Sequence, residues 1–145
     1  MIVYSQQTDY TCGPACLRMA ISVYTSVVPS EEVLSNLCKS NTRIGTSRNS
    51  MMRVVRGLGY SVKQKTKATI LDLYNSSLCT PTLVMYMDFP DSWHYAIVIT
   101  VTDKHVVLAD PWEGAIRKIP LSEFIRAWVS TNGTERWYMS IAVNK

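Results

Sequence analysis

The stretch "QQTDYTCGPACLRMA", residues 6–20, places a cysteine directly before a Gly-Pro pair and a run with helical periodicity. Apolar side chains recur at helical spacing as far as residue 24, and Pro14 falls within the first turn, where proline is tolerated. The pattern therefore predicts a helix over residues 13–24 that begins next to Cys12. Cys12 is either a buried core thiol or a nucleophile held at the end of a helix.

The N-terminal end of a helix is a suitable position for a reactive cysteine. The thiolate is the nucleophile, and an unperturbed thiol, with a pKa of about 8.5, is mostly protonated at neutral pH. The unpaired N–H groups and the positive dipole end of a helix lower such a pKa, because they stabilise a negative charge beside them. Gly13 would allow a close approach of the backbone, and Pro14 gives up an N–H that the first turn leaves unpaired.

The first half of the chain reads as helical and the second half as a sheet. Ser30 is a suitable N-cap, followed by Glu31 and Glu32 in the first turn. Helices are predicted within residues 13–24, 29–40, 46–60, 67–78 and 121–128. Apolar and β-branched runs predict strands within residues 80–88, 94–102, 105–111, 114–120 and 136–144. We therefore expect an α+β fold, with a helical N-terminal half packed on a C-terminal antiparallel sheet.

A base for Cys12 is available in His94, which opens a predicted strand. Asp110 ends the next strand and would orient the imidazole and select its tautomer. A hairpin about Asp103–Lys104 brings both residues to the same end of the pair. Its register would set Asp110 opposite residue 97 and His94 about three positions beyond, so contact needs a bend or a bulge. His105 is interpreted as an exposed turn residue.

Read together, "QQTDYTCGPACLRMA", "WHYAIVI" and "VLADPWEG" resemble the double-glycine leader peptidases. These are papain-like cysteine peptidase domains that process bacteriocin precursors and are commonly fused to an ABC exporter. In that family a glutamine stands about six residues before the cysteine, and an aspartate follows the histidine by some sixteen. Gln6 and Gln7 are both available to stabilise an oxyanion. The spacing of the family points to Gln6.

The resemblance implies that Cys12 is the nucleophile, His94 the base, Asp110 the orienting acid and Gln6 the oxyanion donor. The expected reaction is hydrolysis of a peptide bond after small residues, such as the Gly-Gly of a leader peptide, through a thioester. No cofactor is expected. Two alternatives stay open: an acyltransferase or amidase with the same residues, and a non-catalytic module that binds leader peptides. No exporter follows in these 145 residues, so a free-standing peptidase is expected, one that could dock on a separate exporter.

Composition narrows the class of protein further. We expect one domain over residues 1–145, since 47% of the residues are hydrophobic and 18% are charged. The net charge of +4 is spread along the chain, so no nucleic-acid partner is expected. There is neither a signal-peptide pattern nor an apolar run of spanning length, which predicts a cytoplasmic protein without membrane insertion. The four cysteines are expected to be free thiols rather than disulfides or zinc ligands.

Several residues near these motifs have two interpretations. Trp93, Tyr95 and Trp112 either form the walls of a narrow cleft that favours small residues or lie at the rim of the core. Met51 and Met52 either line a groove for a leader-peptide helix or belong to the core. Cys16, one turn after Cys12, is expected to pack inward.

Overall fold

The computed structural model describes residues 1–88, 92–129 and 135–144. It contains helices and strands in the order α1 (Cys12–Ile21), α2 (Glu31–Cys38), α3 (Arg48–Gly57), β1 (Tyr60–Lys65), α4 (Ile70–Cys79), β2 (Thr82–Asp88), β3 (Ser92–Val101), β4 (His105–Asp110), β5 (Ala115–Pro120), α5 (Leu121–Ala127) and β6 (Tyr138–Val143). The predicted α+β fold is confirmed.

Helices α2, α3 and α4 begin where short polar side chains satisfy free N–H groups of the first turn. The hydroxyl of Ser30 accepts a hydrogen bond from the backbone of Val33 at the start of α2. Ser47 caps α3 in the same way. Thr69 and Asp72 cap α4 reciprocally, which is why this helix begins three residues later than the start of the predicted range.

All the strands pair antiparallel in a single sheet with the order β1-β6-β2-β3-β4-β5. The predicted hairpin of β3 and β4 is present. Its register shifts between Val98 and Thr100, where β3 contains a bulge. The shift moves one end of the hairpin by one residue, and that end carries His94 and Asp110.

Strand β1 was not predicted. Four of the six residues at 60–65, "YSVKQK", are polar, and the strand forms the edge of the sheet with β6 as its neighbour. A strand at an edge needs little apolar character, because one side of it faces solvent. The apolar pattern used for the other strands is therefore missing here.

Helices pack on both faces of the sheet. One buried cluster joins α1, α2 and α3 to residues such as Tyr95, Ile97 and Ala109. A second joins α4 and α5 to the opposite face, including Ala96, Val98 and Leu108 in the same two strands. The alternation of side chains along a strand produces this division.

Met51 and Met52 belong to the core, with 0% and 4% of their surfaces exposed. The interpretation of these residues as a docking groove is wrong, because α3 turns this face toward α1 and α2. Within the described ranges, no helix is long and apolar enough to cross a bilayer.

Candidate active site

His94 and Asp110 meet at one end of the β3–β4 hairpin. Nε2 of His94 lies 2.7 Å from Oδ1 of Asp110, and the two residues are only 5% and 1% exposed. Ile97 pairs with Ala109, so the register differs by one residue from the predicted one beyond the bulge. The contact was predicted to need a bend or a bulge, and the bulge lies between Val98 and Thr100.

Cys12 is the first residue of α1, and it lines the same cavity as His94, whose pKa it raises. The start of α1 is tightly packed: a Cβ atom on Gly13 would lie 2.9 Å from Sδ of Met51 and 3.0 Å from Cβ of Thr46. A side chain at this position would therefore require Met51 or Thr46 to move. Cys12 is partly exposed, whereas Cys16, one turn further on, is fully buried.

The surroundings of His94 favour its protonated form. Burial lowers the pKa of His94, but the hydrogen bonds with Asp110 and with Cys12 outweigh burial and raise it to about 9. The imidazole therefore carries a proton at neutral pH when its partners are charged. A protonated imidazole beside a thiol is the arrangement that stabilises a thiolate.

Asp110 accepts four hydrogen bonds, two on each carboxylate oxygen. Oδ1 accepts from His94 and, at 2.8 Å, from the backbone N–H of Trp112. Oδ2 accepts from the hydroxyl of Tyr86 at 3.1 Å and from Nη1 of Arg117 at 2.8 Å. Burial raises the pKa of Asp110, but the bonds to His94 and Arg117 lower it well below its usual range. Asp110 is thus a fixed carboxylate.

Tyr86 and Arg117 were not identified from the sequence. Tyr86 stands opposite His94 in the pairing of β2 with β3. Arg117 lies on β5, opposite Leu108 of β4. It stands between Ala115 and Ile119 on the inward side of its strand. An arginine at an inward position of an alternating strand is the signal that could have identified it.

Gln6 lies in the N-terminal segment, which is attached to the turn after Asp110. Its backbone N–H donates to the carbonyl of Pro111 at 2.6 Å. Its side-chain Nε2 donates to the carbonyl of Thr8 at 2.7 Å, while its Oε1 is buried without a partner among the described residues. The amide nitrogen has a second N–H, which remains available to another acceptor.

Glu31 holds the loop between Gln6 and Cys12 in place. Its Oε2 accepts from the backbone N–H of Gln7 at 2.6 Å and from the hydroxyl of Thr11 at 3.0 Å. The side chain is buried at the first position of α2, where a helix favours a carboxylate. The role of Glu31 in this loop was not predicted.

A cavity of about 820 Å³ opens at the candidate site. Cys12, His94, Trp93, Tyr95 and Trp112 all line it, so the interpretation of the aromatic residues as cleft walls agrees with the structure. Further lining residues come from the loop before α1, the loop before α3 and strand β2: Asp9, Tyr10, Thr42, Arg43, Ile44, Gly45, Thr46, Met85 and Asp88. Gln6 lies outside this lining.

The remaining candidates lie apart from the site. His105 begins β4 rather than occupying a turn, at the opposite end of that strand from Asp110. The four cysteines are free thiols. No cluster of three His, Cys, Asp or Glu side chains suited to a metal ion occurs in the part of the chain that the structure describes.

The sequence matches the Peptidase C39 family over residues 1–132. It is also 28% identical over 116 residues to an uncharacterised protein of Methanothermobacter marburgensis, a match that covers 80% of this chain and 75% of the relative.

Two solved structures share the fold. The peptidase domain of Streptococcus ComA, a bifunctional ABC transporter involved in a quorum-sensing pathway, superposes with a TM-score of 0.80 and 22% identity. The superposition covers 97% of each chain. A double-glycine-motif protease from an AMS/PCAT transporter, solved in complex with the leader peptide, gives a TM-score of 0.75 and 21% identity. That match covers 98% of this chain and 91% of the protease.

Proposed function

The chain belongs to the Peptidase C39 family and is a cysteine peptidase, and we propose that it hydrolyses a peptide bond after small residues with Cys12, His94 and Asp110. The observation that carries the proposal is the buried contact of 2.7 Å between His94 and Asp110, beside a thiol at the start of α1. The reaction needs a nucleophile, a proton carrier and a group that orients the proton carrier.

In the first half of the reaction, Sγ of Cys12 attacks the carbonyl carbon of the scissile bond. The C–N bond then breaks, and the leaving amine takes the proton of His94, which leaves a thioester on Cys12. In the second half, a water molecule gives a proton to His94 and attacks the thioester. The C–S bond breaks, the acid product departs, and the protonated His94 again faces the sulfur.

Asp110 keeps the ring of His94 in the orientation that the two proton transfers need. Because Oδ1 of Asp110 holds Nε2 of His94, the other ring nitrogen, Nδ1, is left for Cys12 and the leaving group. We propose that the free N–H of the Gln6 amide, together with the backbone N–H of Cys12, stabilises the oxyanion. This role requires the amide of Gln6 to turn toward the cavity.

The cavity supports a substrate with small residues beside the scissile bond. Trp93, Tyr95 and Trp112 line it beside Cys12 and His94. We propose that these bulky aromatic walls favour small side chains next to the scissile bond. We propose a peptide substrate of the leader type that ends in Gly-Gly. The similar AMS/PCAT protease was solved with a leader peptide, which supports this class of substrate.

The test joins thiol reactivity to cleavage. Alkylation of each cysteine by iodoacetamide is followed between pH 5 and 9 by peptide mass spectrometry, in the wild type and in His94→Ala. We expect selective alkylation of Cys12 below pH 7 in the wild type alone. Peptides with a Gly-Gly site are then offered to the wild type, to Cys12→Ala and to Cys79→Ala, whose thiol is exposed elsewhere.

Cleavage by the wild type and by Cys79→Ala, but not by Cys12→Ala, would support the proposal. Alkylation of Cys12 no faster than that of Cys79 would contradict it and would favour a module that binds peptides without cleaving them. An added amine separates hydrolysis from acyl transfer, because the amide product forms at the expense of the acid only if the amine intercepts the thioester.

A further inference from the structure

Arg117 contacts Oδ2 of Asp110, the outer oxygen, whereas His94 contacts Oδ1. Arg117 uses a single nitrogen, Nη1, to contact Oδ2 of Asp110 at 2.8 Å, the hydroxyl of Tyr86 at 3.0 Å and Oδ2 of Asp88 at 3.3 Å. The side chain of Arg117 is 40% exposed, whereas that of Asp110 is 2% exposed. The arginine thus connects a buried carboxylate to the surface.

We propose that Arg117 is a positioning residue for the reaction, which acts through Asp110 by fixing its outer oxygen and offsetting part of its negative charge. The proposal rests on the proposed roles of Asp110 and His94. Arg117 itself contacts neither Cys12 nor His94 among the bonds described above. Its influence on the imidazole passes through the carboxylate.

Geometry gives the first reason. A carboxylate that accepts one bond can turn about its Cβ–Cγ bond, whereas one with partners on both oxygens cannot. Tyr86 and Arg117 bind Oδ2 while the backbone N–H of Trp112 binds Oδ1. These bonds fix the plane of the carboxylate without the contact to His94. A fixed orienting group keeps the imidazole in a productive position.

Charge gives the second reason. The titratable groups around Asp110 are His94 from β3, Cys12 and Cys16 from α1, Tyr86 and Asp88 from β2, and Arg117 from β5. Burial raises the pKa of Tyr86, and the charge of Asp110 raises it further, so Tyr86 is a neutral donor. Among these groups, His94 and Arg117 are the two that carry a positive charge next to Asp110.

Removing the charge of Arg117 should strengthen the hold of Asp110 on the proton of His94. An unopposed carboxylate attracts an imidazolium more strongly, and the interaction is only partly screened because both groups are buried. A merely structural loss would act in the opposite direction, because a displaced Asp110 would release the proton more easily. The direction in which the pKa of His94 changes therefore distinguishes a loss of charge from a displacement of Asp110.

The experiment follows the pKa of His94 by NMR of the ring carbon-bound protons in the full chain. The chain has two histidines, so the signal of His94 is assigned with His105→Gln, and the signal of His105 serves as an internal reference. The variants are Arg117→Met, Arg117→Lys and Arg126→Met. Arg126 is an exposed arginine on α5 that lines the same outer cavity as Arg117, which makes it a matched control for the loss of charge.

We expect Arg117→Met to raise the pKa of His94 by about half a unit to one unit. Arg117→Lys, which keeps the charge, and Arg126→Met should leave it near the wild-type value. In Arg117→Met, His94 should keep its proton to a higher pH, so the alkylation of Cys12 should depend on His94 up to a higher pH. Cleavage should slow by about tenfold at neutral pH.

An unchanged or lowered pKa of His94 in Arg117→Met, or the same rise in Arg126→Met, would overturn the proposal. This result does not depend on the proposed function. If the wild type fails to cleave peptides while Arg117→Met raises the pKa of His94, the proposed function fails, and only the action of Arg117 on His94 through Asp110 is supported. If the wild type cleaves and the pKa stays unchanged, the reverse is true.

Discussion

Nε2 of His94 lies 2.7 Å from Oδ1 of Asp110, although sixteen residues separate the two along the chain. Both side chains are buried, and both belong to the face of the sheet that α4 and α5 cover, by the alternation of β3 and β4. Cys12 approaches them from α1, which packs on the other face. The site thus forms at an end of the sheet where groups from both faces meet.

The contact should make stability depend on pH. The pKa of His94 is raised to about 9 from an unfolded value of about 6.5, so its contribution is complete below pH 6.5 and disappears as the pH rises through 9. We expect the difference in unfolding free energy between the wild type and His94→Gln to shrink by about 3 kcal/mol between pH 6 and pH 9.5. Urea denaturation measures it. His105→Gln is the control, and a difference that stays constant with pH would contradict the prediction.

Asp110→Asn should lower cleavage by the protein that folds by about 100-fold or more. The amide oxygen would accept from Tyr86 and Arg117, which turns the amide N–H toward Nε2 of His94 and puts the ring proton on the wrong nitrogen. The turnover number kcat measures the effect. Asp103→Asn, in the exposed hairpin turn, makes the same change of charge and should match the wild type. Equal activity of the two variants would exclude Asp110 from the mechanism.

Replacing Gln6 and Gln7 in turn tests which glutamine assists the reaction. Gln6→Ala should lower kcat by about 10- to 100-fold with little change in KM, since an oxyanion forms only in the transition state. Gln7→Ala should have little effect, because the bond of Gln7 to Glu31 comes from the backbone. A larger loss in Gln7→Ala would reverse the assignment.

Gly13→Ala should destabilise the fold by about 1–3 kcal/mol, because the added methyl group has no room between Met51 and Thr46. The midpoint of thermal unfolding and the rate of alkylation of Cys12 should both change, since α1 must shift. Gly57→Ala, at the end of α3, meets no atom within 4 Å and should be neutral or slightly stabilising. Equal stability of the two variants would show that α1 is not tightly packed at Gly13.

Local sequence patterns predicted much of the secondary structure. Helices α2 and α4 begin at side chains that bond their own first turns, Ser30 and Thr69, and those interactions involve residues three positions apart. The apolar strands and the β3–β4 hairpin followed from periodicity in the same way. The spacing of Gln6, Cys12, His94 and Asp110 indicated the family, and the match over residues 1–132 confirmed it.

Other features depended on contacts between distant segments. Strand β1 is a strand because β6, some eighty residues later, supplies its hydrogen bonds, and its own composition is too polar to indicate this. The bulge in β3 reset the register of His94 against Asp110 by one residue. Met51 proved to be core only because α3 folds against Gly13 at the start of α1.

The sequence by itself indicated which residues we propose to carry the chemistry, because a cysteine at a helix start, a histidine opening a strand and an aspartate closing one are local arrangements that also match the spacing of the family. The tertiary structure decided how those residues are held. Tyr86 and Arg117 reach Asp110 from β2 and β5, on either side of the hairpin, and no local pattern encodes that meeting. Hydrogen bonds across a sheet depend on which strands become neighbours, and that order arises only when the whole chain has packed.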